Sequence, residues 1–402
     1  MAPRLSERIL ETSPSPIRCL APLALAARER GVDVYHLNIG QPDLPTPAAF
    51  FEAVRTFAEN VLAYAPSEGI PELIGAIRDY YGTSGCSVAS EEILVMNGGS
   101  EAILFALLTC CNPGDEVLVM EPFYTNYSTF AKAASVRLVP VETGPETGFR
   151  LPDEATIRSR ITDRTKALLV TSPNNPTGVV LRAEEMDRLV RIGRDRGLFL
   201  ISDEGYREFC YDRPFRSLLD DPDPIVRELV VVCDSISKRF SACGARIGHL
   251  VSRNLDFIRN VHKLCQGRLC APTMDQVGAA ALYRAPRSIL TSYGERFRGR
   301  RDVFCDALAR VPRVSFVRPE GAFYLMARLP LEDASDFAAF CLRDFSHRGE
   351  TIMVAPGEGF YATSGRGRDE VRLAYVLEED RLLRATELLA LALEAYPGTR
   401  RG

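Results

Sequence analysis

The stretch VVCDSISKRFSACGARIGHL, Val231–Leu250, decides how this chain folds. Its apolar, β-branched start, with Glu228 to Val230 before it, is bounded by polar residues and reads as a buried strand. Such a strand delivers the next residues to its carboxyl end, where open α/β sheets build their sites. Those residues are Asp234, Ser235, Ile236, Ser237 and Lys238, then a loop closed by Gly244, Arg246 and Gly248. A lysine held beside an arginine and away from water loses its proton easily, because its charged form is poorly solvated and repelled. A neutral amine is what Schiff-base chemistry needs. Taken alone, Ser235-x-x-Lys238 is more often a solvated loop lysine, so the neighbouring stretches must carry the argument.

Upstream, strand patterns alternate with helical ones. Ile93 to Met96 reads as a strand, Asn97-Gly98-Gly99-Ser100 as a tight turn and Glu101 to Cys111 as a helix. Strand, glycine turn, helix is how free backbone N–H groups and a helix dipole are presented to a phosphate. Strands are then expected at Glu116 to Met120, Val136 to Val141, Lys166 to Thr171 and Leu198 to Ser202, with helices from Tyr124 and over Ala183 to Arg196. This spacing predicts right-handed crossovers and a mainly parallel sheet. Two further polar clusters fall at strand ends: SPNNPTG, with Asn175, and SDEGY, with Asp203 and Tyr206. A carboxylate beside an aromatic heterocycle would keep the ring nitrogen protonated and make the ring an electron sink, although a strand-end aspartate commonly caps a turn.

The rest of the chain reads differently. Before the sheet come a helix-like PLALAARERG, an alternating segment from Val32 to Ile39, Gly40-Gln41-Pro42-Asp43, a helix over Ala48 to Asn60 and a loop bearing Tyr64. Beyond about Arg253 long helices give way to short strands, among them Ala322 to Ala327 and Glu370 to Val376, and a last helix spans Glu379 to Tyr396. The expected organisation is a large α/β domain over 46–290 and a smaller α+β domain built from 1–45 and 291–402.

Composition narrows the function. A 46% hydrophobic and 25% charged chain of 402 residues is ordinary for a globular protein. Its net charge of -4 provides no basic footprint for nucleic acid. No apolar run reaches the roughly 18 residues of a membrane span, and the N-terminus lacks a signal core, which points to the cytoplasm. The 11 cysteines, without metal-ligand spacing, read as reduced core thiols. The histidines His36, His249, His262 and His347 are dispersed and suggest neither a metal site nor a Ser-His-Asp triad.

The set Tyr64, Gly99-Ser100, Tyr124, Asn175-Pro-Thr-Gly, Asp203-x-x-Tyr206, Ser235-x-x-Lys238, Arg246 and Arg372 resembles the class I and II aminotransferases, fold type I enzymes dependent on pyridoxal 5′-phosphate. The resemblance runs from Gly40-Gln41-Pro42-Asp43 to the terminal helix. It implies that Lys238 forms the internal aldimine and then shuttles the substrate proton. Asp203 would pair with the pyridinium nitrogen, Asn175 and Tyr206 with the phenolate oxygen, and Tyr124 would stack on the ring. Ser235, Arg246, Gly99 and Ser100 would hold the phosphate, joined by Tyr64 from the other subunit of a homodimer. Arg372 would clamp the substrate α-carboxylate, with Asn175 and Gly40 lining the substrate side.

The implied reaction moves the amino group of an L-amino acid, aspartate-like, to a 2-oxo acid such as 2-oxoglutarate. Some bacterial aspartate aminotransferases carry a lysine for the distal carboxylate just after the glycine turn, where this chain has Glu101, and Gly205 also departs from many relatives. Aromatic or aliphatic donors, or a C–S lyase of the same fold, are therefore the alternatives. A non-catalytic effector-binding domain would be expected to follow a DNA-binding module, for which the sequence before residue 40 leaves no room.

Overall fold

The computed structural model describes residues 3–400. A short strand, β1 (Asp33–His36), precedes a central sheet of β2 (Ile93–Met96), β3 (Glu116–Glu121), β4 (Arg137–Glu142), β5 (Thr165–Thr171), β6 (Phe199–Asp203), β7 (Val230–Ser235) and β8 (Gly248–Val251). The sheet order is β2-β8-β7-β6-β5-β3-β4, and every pairing is parallel except the two that β8 makes. Helices cover both faces, which is why β2, β3 and β7 are buried along their whole length. Along β7, Val231 and Cys233 enter one core while Val230 and Val232 enter the other. Each such buried valine contributes about 1.5–3 kcal/mol of apolar transfer.

The later strands are β9 (Ser315–Phe316), β10 (Tyr324–Arg328), β11 (Glu350–Met353), β12 (Ala355–Pro356) and β13 (Glu370–Ala374). Strands β12, β13, β10 and β9 form an antiparallel sheet, while β11 pairs in parallel with β1 and so ties the N-terminal segment to the C-terminal part. A third core lies there, built from Phe297 and Phe304 of helix Ser288–Leu308, Phe323 just before β10 and Leu325 within it, and Leu388 and Leu389 of helix Glu379–Ala395. Tyr206, Phe209 and Tyr211, just beyond β6, enter that same core. The carboxyl edge of the central sheet is thereby joined to the second body of the protein.

Three expected elements differ. Glu228 and Leu229 are not strand but the end of helix Pro224–Leu229, which Asp223 caps by accepting from the Ile225 N–H at 2.9 Å with Pro224 in the first turn. The helix from Ala48 stops at Arg55, because the residues beyond it find no core: Val61 and Leu62 are exposed. The helix near Tyr124 begins only at Asn126.

Candidate active site

The turn after β2 meets the ends of β7 and β8. Gly98 has a φ of +82° and lies beneath the Arg246 guanidinium, where a Cβ would stand 2.5 Å from Nη2. Arg246 donates to the Asn97 carbonyl at 3.4 Å and to the Cys243 carbonyl at 3.0 Å. Gly248 permits the approach, since a Cβ there would sit 2.5 Å from the Gly98 carbonyl carbon. A Cβ on Gly99 would reach within 4.0 Å of Ser235 Cβ. Gly99, Ser100, Ser235 and Arg246 thus gather where helix Gly99–Cys110 begins, and its first-turn N–H groups have no intrahelical acceptor. Donors, a dipole and a guanidinium in one cradle fit a phosphate.

Asp203 ends β6, and its carboxylate accepts from the Tyr127 hydroxyl at 2.6 Å and the Gly205 N–H at 3.2 Å. Burial pushes the carboxyl above its ordinary range, while these two donors pull against it. Tyr127 also bonds Thr171 Oγ1 at 2.6 Å. Three residues after Asp203, the Tyr206 hydroxyl accepts from Asn175 Nδ2 at 3.3 Å and shares a hydrogen bond with the Tyr324 hydroxyl at 3.0 Å. Tyr124 lies edge-on to Tyr127, with ring centroids 5.6 Å apart.

Lys238 rides on the single turn Ile236–Arg239, which Ser235 caps by accepting from the Ser237 N–H at 3.3 Å. Its Nζ donates to the Gly40 carbonyl at 2.7 Å and lies 3.9 Å from Cys243 Sγ. The expected loss of its proton beside Arg246 is not what this environment favours. Burial disfavours the ammonium, but Tyr324, Cys243 and Tyr124 outweigh burial and the nearby Arg372 charge, so its pKa stands above that of an ordinary lysine. Arg246 is occupied with backbone carbonyls instead. Gly40 has no alternative residue, because a Cβ would collide with the Tyr324 ring.

Arg372, in the middle of β13, is 2% exposed. It donates to Asn175 Oδ1 at 3.0 Å and to the Asn38 carbonyl at 2.5 Å, and its guanidinium lies 4.5 Å from the Tyr324 ring centroid. Its Nε has no partner, and among the described residues no carboxylate is within ion-pair distance of it. Burial accordingly pulls its pKa down. A buried cation without a counter-ion is costly, and such a group suits an anion from outside the chain.

One anticipated residue stands apart. Tyr64 is 79% exposed, and its hydroxyl makes no hydrogen bond among the described residues. Glu101 is engaged, accepting from the Asn97 N–H at 2.7 Å and pairing with Arg268 at 3.0 Å. Arg28 donates to His36 at 2.7 Å. Tyr127, Tyr324 and Asn38 were missed by sequence reasoning. Tyr127 follows Tyr124 by three, a same-face helical spacing that could have pointed to it, whereas Tyr324 looks like any strand core tyrosine.

Residues 32–387 match the family Aminotransferase class I and II. The aspartate/prephenate aminotransferase of Thermus thermophilus is 34% identical over 396 residues, covering 97% of this chain and 98% of its own. The solved structure of Thermus thermophilus aspartate aminotransferase with maleate superposes with a TM-score of 0.87 at 32% identity, covering 97% of this chain and 100% of that one. An alanine aminotransferase from Pyrococcus furiosus gives 0.87 at 28% identity over 97% and 100% of the two chains. A family match over most of the sequence, together with a relative 34% identical over nearly its whole length, means that this chain belongs to the class I and II aminotransferases, enzymes dependent on pyridoxal 5′-phosphate.

Proposed function

We propose that this enzyme moves the amino group of an aspartate-like L-amino acid to a 2-oxo acid such as 2-oxoglutarate, with Lys238 as the attachment point of pyridoxal 5′-phosphate. When bound, the cofactor supplies the electron sink that acidifies the substrate Cα–H and the carbon that carries the amino group. Gly99, Ser100, Ser235 and Arg246 would hold its phosphate. Asp203 would keep the proton on its ring nitrogen, Asn175 and Tyr206 would hydrogen-bond its phenolic oxygen, and Tyr124 would pack against its ring. Lys238, whose Nζ donates to the Gly40 carbonyl, would take the proton from the substrate Cα and give it back when the amino group is passed on.

The observation that carries the reading is Arg372. Its guanidinium is buried without a carboxylate, flanked by Asn175 and Asn38, as a receptor for the α-carboxylate common to every amino acid and 2-oxo acid must be. An aspartate-like donor is supported by the relative from Thermus thermophilus and by the structure of that organism's enzyme with maleate. A second reading, an aliphatic donor, is favoured by the engagement of Glu101 with Arg268 and by the likeness to an alanine aminotransferase.

The test is an absorbance titration of the holoenzyme with amino acids in the absence of any oxo acid. Conversion of the cofactor band by aspartate and glutamate establishes the first reading; conversion by alanine alone replaces it with the second. A Lys238→Ala protein that still turned over would overturn the assignment of the lysine.

We further infer a cytoplasmic homodimer whose active site takes Tyr64 from the partner, supported by the outward-facing Val61, Leu62 and Tyr64. Within the described residues no helix is long and apolar enough to cross a membrane. The division into domains at 46–290 and 1–45 with 291–402 is supported by the separate cores and by the β1–β11 pairing.

A further inference from the structure

Arg372 reaches the N-terminal part of the protein through one acceptor, the backbone carbonyl of Asn38. Asn38 is 1% exposed, and its side chain is held at both ends. Its Nδ2 donates to the Ile17 carbonyl at 3.0 Å, and its Oδ1 lies 3.3 Å from His36 Nδ1. His36 closes β1, and its Nε2 lies 2.7 Å from the Arg28 guanidinium. The next residue, Leu37, is stitched to β11 and β13, giving its N–H to Met353 and taking that of Ala374, two residues after Arg372.

The directions of these bonds follow from the groups. A guanidinium has donors only, so His36 Nε2 accepts and the ring proton is assigned to Nδ1. Nδ1–H then donates to Asn38 Oδ1, which turns the amide nitrogen toward Ile17. Burial and the Arg28 charge both favour the neutral ring, against the pull of Asn38. Each group in the row Arg28, His36, Asn38, Ile17 leaves the next only one satisfied orientation. The Ile17 carbonyl accepts only and takes the amide nitrogen, so the Nδ1–H is the group that holds the oxygen end and fixes the side chain at both ends.

We propose that His36 is a positioning residue for substrate binding, setting Asn38 so that its carbonyl aligns Arg372 and its amide fastens the Ile17 segment. The inference rests on the reading of Arg372 as the α-carboxylate receptor. Because that carboxylate is common to all substrates, loss of the His36 donor weakens every donor and acceptor alike and leaves the proton transfer at Lys238 untouched.

The test compares four holoenzyme variants, His36→Asn, His36→Asp, His36→Ala and Arg372→Leu, in steady-state kinetics with several amino acids and 2-oxoglutarate. Asparagine keeps an N–H donor near the position of Nδ1, and its KM values are expected within about twofold of the parent. Aspartate is isosteric with asparagine but accepts only, and its KM is expected to rise about tenfold for every substrate, the size of one lost buried hydrogen bond, with kcat changed less than about twofold. His36→Ala, which adds no charge, carries the same expectation should the aspartate variant not fold. Unchanged KM in the aspartate and alanine variants, with Arg372→Leu raised, overturns the inference and leaves the receptor standing. Equal impairment of His36→Asn and His36→Asp overturns the donor role. Unchanged KM in Arg372→Leu removes the receptor and the inference together.

Discussion

Asp203 shows how a single residue's environment is divided between opposing effects. Burial favours the protonated carboxyl, while Tyr127 and Gly205 favour the carboxylate that a ring nitrogen requires. Tyr127→Phe removes the stronger donor and lets burial push the carboxyl further up. Activity depends on the ionised form and is lost as pH falls through that pKa, so the acidic limb of the pH–rate profile is expected to move to higher pH. A fall in kcat of about tenfold at neutral pH accompanies it. A fall with no displacement of the limb would assign Tyr127 to packing alone. The neighbouring Glu204 is pushed up to about 7 by burial, against Arg207 and Ser217. A carboxyl with a raised folded pKa stabilises the fold fully below its ordinary 4.5, and that contribution is lost as pH rises to about 7. The loss is at most about 3 kcal/mol. Glu204→Gln should therefore gain in denaturant midpoint relative to the parent between pH 5 and pH 8, and a constant difference would mean that Glu204 is ionised throughout.

At the level of elements, the turn after β5 joins the two bodies of the protein. Gly178 has a φ of +72°, and a Cβ there would stand 2.6 Å from the Tyr324 carbonyl and 2.9 Å from that of Gly321. Its own carbonyl accepts from the N–H groups of Glu320 and Gly321. Neither backbone can yield, so Gly178→Ala is expected to cost about 3 kcal/mol in urea unfolding and to raise KM by displacing Asn175. A change in stability without a change in KM would show that Asn175 keeps its place independently of the seam. Elements of this sort are legible in the sequence in uneven measure. The buried strands β2, β3, β5 and β7 announce themselves because both faces are covered and the apolar run is continuous. Asp203, Asn175 and Lys238 can be found because each comes just after such a run. Tyr324 cannot, since its role arises when β10 of the second sheet brings its hydroxyl to Tyr206 and Gly40, a meeting between residues more than 100 positions apart. The short helix Pro224–Leu229 is hidden because its apolar residues run directly into those of β7.

In the whole molecule the site is assembled from three sources: Lys238 and Asp203 from the central sheet, Arg372 from the second sheet, and Asn38 and Gly40 from the N-terminal segment. The segment 57–67 contributes nothing to this gathering within one chain, yet it presents Val61, Leu62 and Tyr64 outward at 72%, 63% and 79% exposure. Neighbouring apolar side chains of that size are rarely left in water on an isolated protein. In the proposed two-fold dimer each chain's segment would meet the same surface of the other, and one Tyr64 would reach each site. That arrangement makes an arithmetic prediction. Lys238→Ala fails through its own lysine and Tyr64→Ala through what it withholds from its partner. In a mixed dimer the site built on the intact lysine receives the intact tyrosine, while the other site lacks both. Random exchange places half the chains in mixed dimers, so co-refolded variants should show roughly one quarter of the parental site activity plus half the mean of the two separate proteins' residual rates. Recovery of that size, read by turnover after gel filtration, requires Tyr64 to act across the interface. Activity no greater than the mean of the two parents would mean that Tyr64 serves its own chain or none.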